Sequence, residues 1–161
     1  MEPLIKLYPD APAWTLQVTK NQSLPEGIYT FVEFYCGNPE CDCKAGLFDM
    51  LEVNHEGKVL GGRIASIHYS WDQPISELNP NLENEQYPSQ LTKAALNTFL
   101  EEIQNDASRI DTIKAHYAMV KEYFVKNPAR FVSEDYKSFI GSARNKPCPC
   151  GSGKKYKKCC L

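Results

Sequence analysis

The sequence predicts an α+β fold: a small antiparallel β-meander packed with two or three helices, followed by a short C-terminal appendage. Three observations predict it. Residues 28–71 hold runs rich in β-branched and aromatic residues, separated by turn chemistry. Residues 89–140 carry apolar side chains at helical spacing. The last seventeen residues offer, apart from cysteines, only Tyr156 and Leu161 as apolar material, too little to fold on a core. With 161 residues, 42% apolar and 24% charged, the chain can bury one domain core, and collagen, coiled-coil and wholly disordered classes are excluded. No apolar run is long enough to span a bilayer. The N-terminus has neither a basic flank nor an apolar signal core, so the expected location is cytoplasmic.

Taken in order, residues 1–26 are Pro-rich at both ends and predict a loop with one short strand around Trp14 to Val18. Residues 28–35, IYTFVEFY, predict a strand that runs straight into the cysteines of CGNPECDC, where Gly37, Asn38 and Pro39 are turn residues. Leu47 to Val53 predicts a second strand, and Asn54 to Gly57 a hairpin turn. Lys58 to Trp71 predicts a third strand, interrupted at Gly61 and Gly62. Residues 72–88, polar and with three prolines, predict an exposed connection. Ser89 opens a helix with Leu91, Ala95, Phe99 and Ile103 on one side. A second helix carries Ile110, Ile113, Tyr117, Val120 and Phe124, and Pro128 stops it. Phe131 to Ile140 predicts a further short helix, and 141–146 a hinge.

Charge divides the chain at that hinge. Residues 144–161 contain six basic residues and no acidic one, a charge of +6. Residues 1–143, with twelve basic and twenty acidic residues, carry −8. An acidic body with a basic tail predicts that the tail meets a negative surface.

The seven cysteines fall in two groups, Cys36/Cys41/Cys43 and Cys148/Cys150/Cys159/Cys160, more than a hundred residues apart. Clustering, an odd count and the lack of an export signal point to thiolate ligands rather than a disulfide framework. The tail pattern is C-x-C-x8-C-C. Two cysteines on a turn reach one ion, and Gly151 and Gly153 let the chain double back so that Cys159 and Cys160 complete a tetrahedron. Zinc is favoured over iron because the pattern lacks cluster-type spacing. Metal binding then supplies the folding free energy of this zinc-stabilised hook, and the flanking lysines favour thiolates. The Gly-Ser-Gly-Lys of 151–154 is no phosphate-binding loop: Cys148 and Lys155 stand where that loop needs Gly and Ser or Thr.

Residues 147–160, PCPCGSGKKYKKCC, closely resemble the SEC-C motif, named for the C-terminal zinc module of the bacterial preprotein translocase motor. The resemblance implies that Cys148, Cys150, Cys159 and Cys160 hold zinc. It covers the last seventeen residues only, and the body has none of the motor's ATPase signatures. In the motor this module docks on an acidic face of the export chaperone and is linked to the ribosome and to lipid surfaces. By that likeness Lys154, Lys155, Lys157, Lys158 and Tyr156 are partner-binding residues, and the partner is a chaperone of the export or folding type, or the ribosome. The expected function is a zinc-binding adaptor.

The first group is a C-x4-C-x-C with three thiolates. Its pattern, with Phe31, Glu33, Tyr35 and Pro39 around the cysteines, resembles uncharacterised bacterial proteins, some of which also end in SEC-C. The expectation divides between a second metal site and three reduced structural cysteines. For a second ion the fourth ligand comes from His68, the first choice, or from His55, Asp42, Asp49 or water. His116 is expected as a surface or partly packed residue, and Glu33, Asp49 and Glu52 on a solvated strand face. Phe31, Tyr69 and Trp71 are expected in the core. Two other functions remain open: weak RNA binding through the tail's basic residues and Tyr156, and metal-dependent catalysis at an open site made by the Cys36 group. No triad, paired-acid or zinc-protease pattern supports an enzyme.

Overall fold

A computed structural model of the chain describes residues 1–19, 23–72, 75–78 and 89–128. Along the chain it forms β1 (Glu2–Pro3), α1 (Leu4–Leu7), β2 (Trp14–Val18), β3 (Gly27–Tyr35), β4 (Ala45–Val53), β5 (Val59–Ser70), β6 (Ile75–Leu78), α2 (Ser89–Asn105) and α3 (Ser108–Lys126). The strands make one six-stranded antiparallel sheet in the order β1-β3-β4-β5-β6, with β2 also paired to β3. The expected α+β meander is therefore present at 27–70, with two long helices after it.

Alternation explains β3. Tyr29, Phe31, Glu33 and Tyr35 are buried, and the residues between them are less so. Register carries this face across the sheet: Phe31 lies opposite Met50, Glu33 opposite Phe48, and Phe48 opposite Ile67. Asn54 builds the β4–β5 turn, its Oδ1 accepting the N–H groups of Glu56 and Lys58 at 3.0 and 2.9 Å. Gly57 has a φ of +77°, the left-handed region that glycine reaches without penalty. The Gly61–Gly62 irregularity shows as register shifts opposite Leu51, where Met50 pairs with Ala65 and Val53 with Val59.

Both long helices cover the sheet face bearing Phe31, Glu33, Tyr35 and Phe48. Phe99 of α2 is fully buried, with ring centroids of Phe48, Trp14, Phe31 and Tyr69 at 5.1–5.5 Å. From α3 come Ile113, His116, Val120 and Phe124, buried at the spacing of one helical face. Its start is organised by Asp106, which accepts hydrogen bonds from the Ser108 N–H and hydroxyl at 3.0 and 2.6 Å. Those bonds hold the carboxyl below the ordinary aspartate range. α3 stops at Lys126, just before Pro128. Among the described residues no helix is long and apolar enough to cross a membrane.

The structure corrects two expectations. The N-terminal segment is more than a loop with one strand, since β1 and the single turn α1 precede β2. Elements of two and four residues are too short to leave a periodicity. The connection at 72–88 contains β6, formed because β5 extends to Ser70 and offers Ile67–Ser70 as an edge for pairing. The expected helix at Phe131 to Ile140, the hinge and the whole tail lie outside the described residues.

The aromatic centre gives a direct test of this packing. Phe99→Ala is expected to cost about 3–5 kcal/mol of folding free energy in urea unfolding, the range for deleting a buried ring. A loss below about 1 kcal/mol would mean that α2 does not seat on the sheet as described.

Candidate metal centre

Cys36, Cys41 and Cys43 lie in the 36–44 connection between β3 and β4, as the sequence predicts. Asn38 shapes the turn: its side-chain oxygen accepts the Glu40 N–H at 3.0 Å and its carbonyl accepts the Cys41 N–H at 3.1 Å. Pro39 sits inside that turn with φ fixed by its ring. The return to β4 runs through Lys44 at φ +40°, a left-handed residue whose carbonyl accepts the Trp71 N–H at 3.3 Å. The result gathers the three sulfurs within 4.8 Å of one another. Cys36 and Cys41 are buried, Cys43 is half-buried, and none of them is in a disulfide.

This connection is held from outside by α3. Tyr117, Lys121 and Phe124 recur at four- and three-residue intervals, so they share one helix face. The Tyr117 hydroxyl donates to the Cys41 carbonyl at 3.3 Å. The Lys121 ammonium donates to that same carbonyl at 2.7 Å and also to the Asn38 carbonyl. It lies 5.0 Å from the centroid of the Tyr117 ring. Phe124 packs against Gly37 so closely that a Cβ there would sit 2.5 Å from its ring. Burial, and then the charge of Cys43, Cys36 and Cys41, push the Tyr117 phenol well above the ordinary tyrosine range. The site thus combines three clustered sulfurs with a fixed positive charge and a phenol that stays protonated.

Beneath it lies a buried polar network. Glu33 Oε2 accepts the Tyr35 hydroxyl at 2.6 Å and lies 2.7 Å from His116 Nδ1, with both Glu33 and His116 buried. Burial first, then the charge and hydrogen bond of Glu33, raise the Tyr35 phenol well above its ordinary range. This overturns two expectations. Glu33 is not on a solvated strand face, because its parity matches Phe31 and Tyr35. His116 is buried, neither on the surface nor only partly packed, because it falls on the stripe of Ile113 and Val120. Asp49 and Glu52 behave more nearly as expected, both half-buried, with Asp49 paired to Arg63 at 3.1 Å. Phe31 and Tyr69 are in the core and Trp71 packs against it.

His68 is buried in β5 opposite Leu47 and is not one of the donors within 4.8 Å of the cysteine group. His55 is exposed in the β4–β5 turn, at the other end of β4. Asp42 lies 3.9 Å from the Lys44 ammonium on the surface. Cys148, Cys150, Cys159, Cys160, Lys154, Lys155, Tyr156, Lys157 and Lys158 lie outside the described residues. Sequence reasoning missed Tyr117 and Lys121 as supports of the cysteine turn. Lys121 shares a helix face with Tyr117 and Phe124, but nothing in the sequence directs that face to the cysteine turn.

Comparison with known proteins places one module. Residues 144–161 match the family model of the SEC-C motif. The chain is 44% identical over 57 residues to the protein translocase subunit SecA of Geobacter sulfurreducens, covering 35% of this chain and 6% of that protein. It is 33% identical over 98 residues to the uncharacterized protein YecA of Escherichia coli K12, covering 56% of this chain and 41% of that one. A UPF0225 protein of Vibrio cholerae is 53% identical over 30 residues, 19% of this chain and 20% of its own. The chain therefore spans well under two thirds of the length of these curated relatives. No solved structure matches the chain.

Two substitutions test the supports of the site. Gly37→Ala forces the Phe124 ring aside and is expected to cost about 1–3 kcal/mol in denaturant unfolding, as overpacking does. His116→Leu leaves the buried Glu33 carboxyl short of a partner and is expected to cost about 1–3 kcal/mol. Wild-type stability in Gly37→Ala would show that Phe124 does not press on this turn, and in His116→Leu that the contact with Glu33 is not made.

Proposed function

Because the chain ends in a SEC-C motif, we propose that it is a zinc-binding adaptor whose basic tail docks on an acidic partner. The observation that carries this reading is the motif match at 144–161, a segment with six basic residues and no acidic one. Its donors suit the ion: Cys148, Cys150, Cys159 and Cys160 provide four thiolates, the full complement of a closed structural zinc site. Ion binding supplies folding free energy of about 10–16 kcal/mol in comparable zinc peptides, which a segment without a core requires. In the sequence Lys154, Lys155, Lys157 and Lys158 flank Tyr156 between the two cysteine pairs, a cationic cluster that ion binding would constrain. Four thiolates and a divalent ion contribute −2, leaving the tail at +4, still basic.

A charged hook of this kind recognises an acidic protein surface, such as that of an export or folding chaperone, or the ribosome. The SecA relative bears the name of a translocase subunit, and the shared part is a small fraction of it, consistent with a docking module rather than with the motor's work. The acidic body would keep the tail from binding itself broadly to nucleic acid, since its own field repels phosphate.

Binding of the purified full chain to a purified acidic export chaperone and to ribosomes tests the reading. The zinc-loaded protein is expected to bind at least one of them and to weaken as salt shortens the screening length to about 10 Å at 0.1 M. Chelation and Cys159→Ser are each expected to abolish binding. Binding that survives both, or preferential binding to single-stranded RNA, would overturn the adaptor reading.

A further inference from the structure

We propose that Cys36, Cys41 and Cys43 form a second metal centre in the folded body, binding one divalent thiophilic ion, zinc in the first instance, independently of the tail. Three observations carry it. The first is geometry. A tetrahedral zinc with Zn–S bonds of about 2.3 Å sets its sulfurs about 3.8 Å apart. The three sulfurs already lie within 4.8 Å of one another, so closure asks each pair to draw in by about 1 Å at most.

The second is support. A metal site keeps its geometry when the groups around its ligands are fixed. Here Lys121 and Tyr117 both bond the Cys41 carbonyl, Lys121 also bonds the Asn38 carbonyl, and Gly37 is pressed against Phe124. The Asn38 side chain, itself buried, closes the same turn from within.

The third is charge. Three thiolates and a divalent ion sum to −1, and the Lys121 ammonium beside them brings the site to neutrality. With Lys121 counted in the same way, a monovalent ion would leave −1 in a largely buried place, which is costly. Calcium and magnesium are excluded by the donors, since both require oxygen ligands. Among the described residues no further Cys, His, Asp or Glu joins the group. The trio fills three corners of the tetrahedron, and the proposal gives the fourth to a small exchangeable donor, water or a thiol. An open corner of this kind is a ligand-binding position, not merely a structural staple.

Counting ions in the full-length chain tests this separately from the tail. Reduced protein is loaded with excess zinc, desalted and assayed for metal per chain. The wild-type chain should retain two ions. A variant with Cys148, Cys150, Cys159 and Cys160 all changed to Ser should retain one, and adding Cys41→Ser should remove it. Cobalt in place of zinc should give the tail variant thiolate charge-transfer and tetrahedral bands, and these should shift when a small thiol occupies the open corner. Should Cys41→Ser fail to fold, Cys43→Ser at the half-buried position serves instead. A folded, reduced tail variant that retains no ion overturns the second centre, as does one that retains its ion after the trio is removed. Wild-type protein that holds a single ion, kept by the tail variant and lost with Cys41→Ser, overturns the zinc hook and leaves the second centre standing.

Discussion

The Lys121 side chain is the constraint on which the rest of the site depends. It crosses from α3 to the β3–β4 turn and satisfies the carbonyls of Asn38 and Cys41, with Tyr117 sharing the second of these. Carbonyls turned inward without such donors carry a desolvation cost of about 1–3 kcal/mol each. The Cys41 carbonyl takes both its donors from α3, while the Asn38 carbonyl also accepts the Cys41 N–H, so α3 adds to a turn that is partly closed from within. α3 in turn is seated by Ile113, Val120 and Phe124 and by the His116–Glu33 contact. Sheet, helix and cysteine turn form one cooperative unit.

That unit explains why polar groups lie where a core would be simpler without them. Glu33 and His116 are buried between β3 and α3, and Tyr35 closes the network from the residue just before Cys36. A directional contact between two elements fixes their relative position in a way that apolar packing does not, and here it sets the height of α3 along β3. One helical turn beyond His116 toward the C-terminus, Val120 and Lys121 follow at the level of the cysteines. The chain thus pairs an acidic body that organises sulfur with a basic C-terminal segment that matches the SEC-C motif.

Much of the fold was legible in the sequence because its signals are local. The β-branched and aromatic run at 28–35, the Asn54–Gly57 turn and the 3.6-residue stripes of 91–103 and 110–124 each declare their element without reference to the rest. β6 was not legible, because its four residues lie in a polar segment between prolines and are too few to show a strand period. Clustering of Cys36, Cys41 and Cys43 was legible from spacing and turn residues alone. Their supports were not: Lys121 and Tyr117 lie about eighty residues away, and only the packing of α3 on the sheet brings them to the turn. Glu33 and His116 were misread for the same reason. Strand parity placed Glu33 inward and helical phase placed His116 inward, but a carboxylate and an imidazole carry a polar expectation that only their mutual contact removes.

The most direct measurement is the affinity of the cysteine turn for zinc in Lys121→Met, compared with Lys121, in a background whose tail cysteines are serine. Methionine keeps an apolar chain of similar length while deleting the cation and its hydrogen bonds. The account predicts that the folded variant binds zinc roughly tenfold or more weakly, the scale of losing a group that fixes the ligands. Equal affinity in the two proteins, with the fold intact, would contradict it.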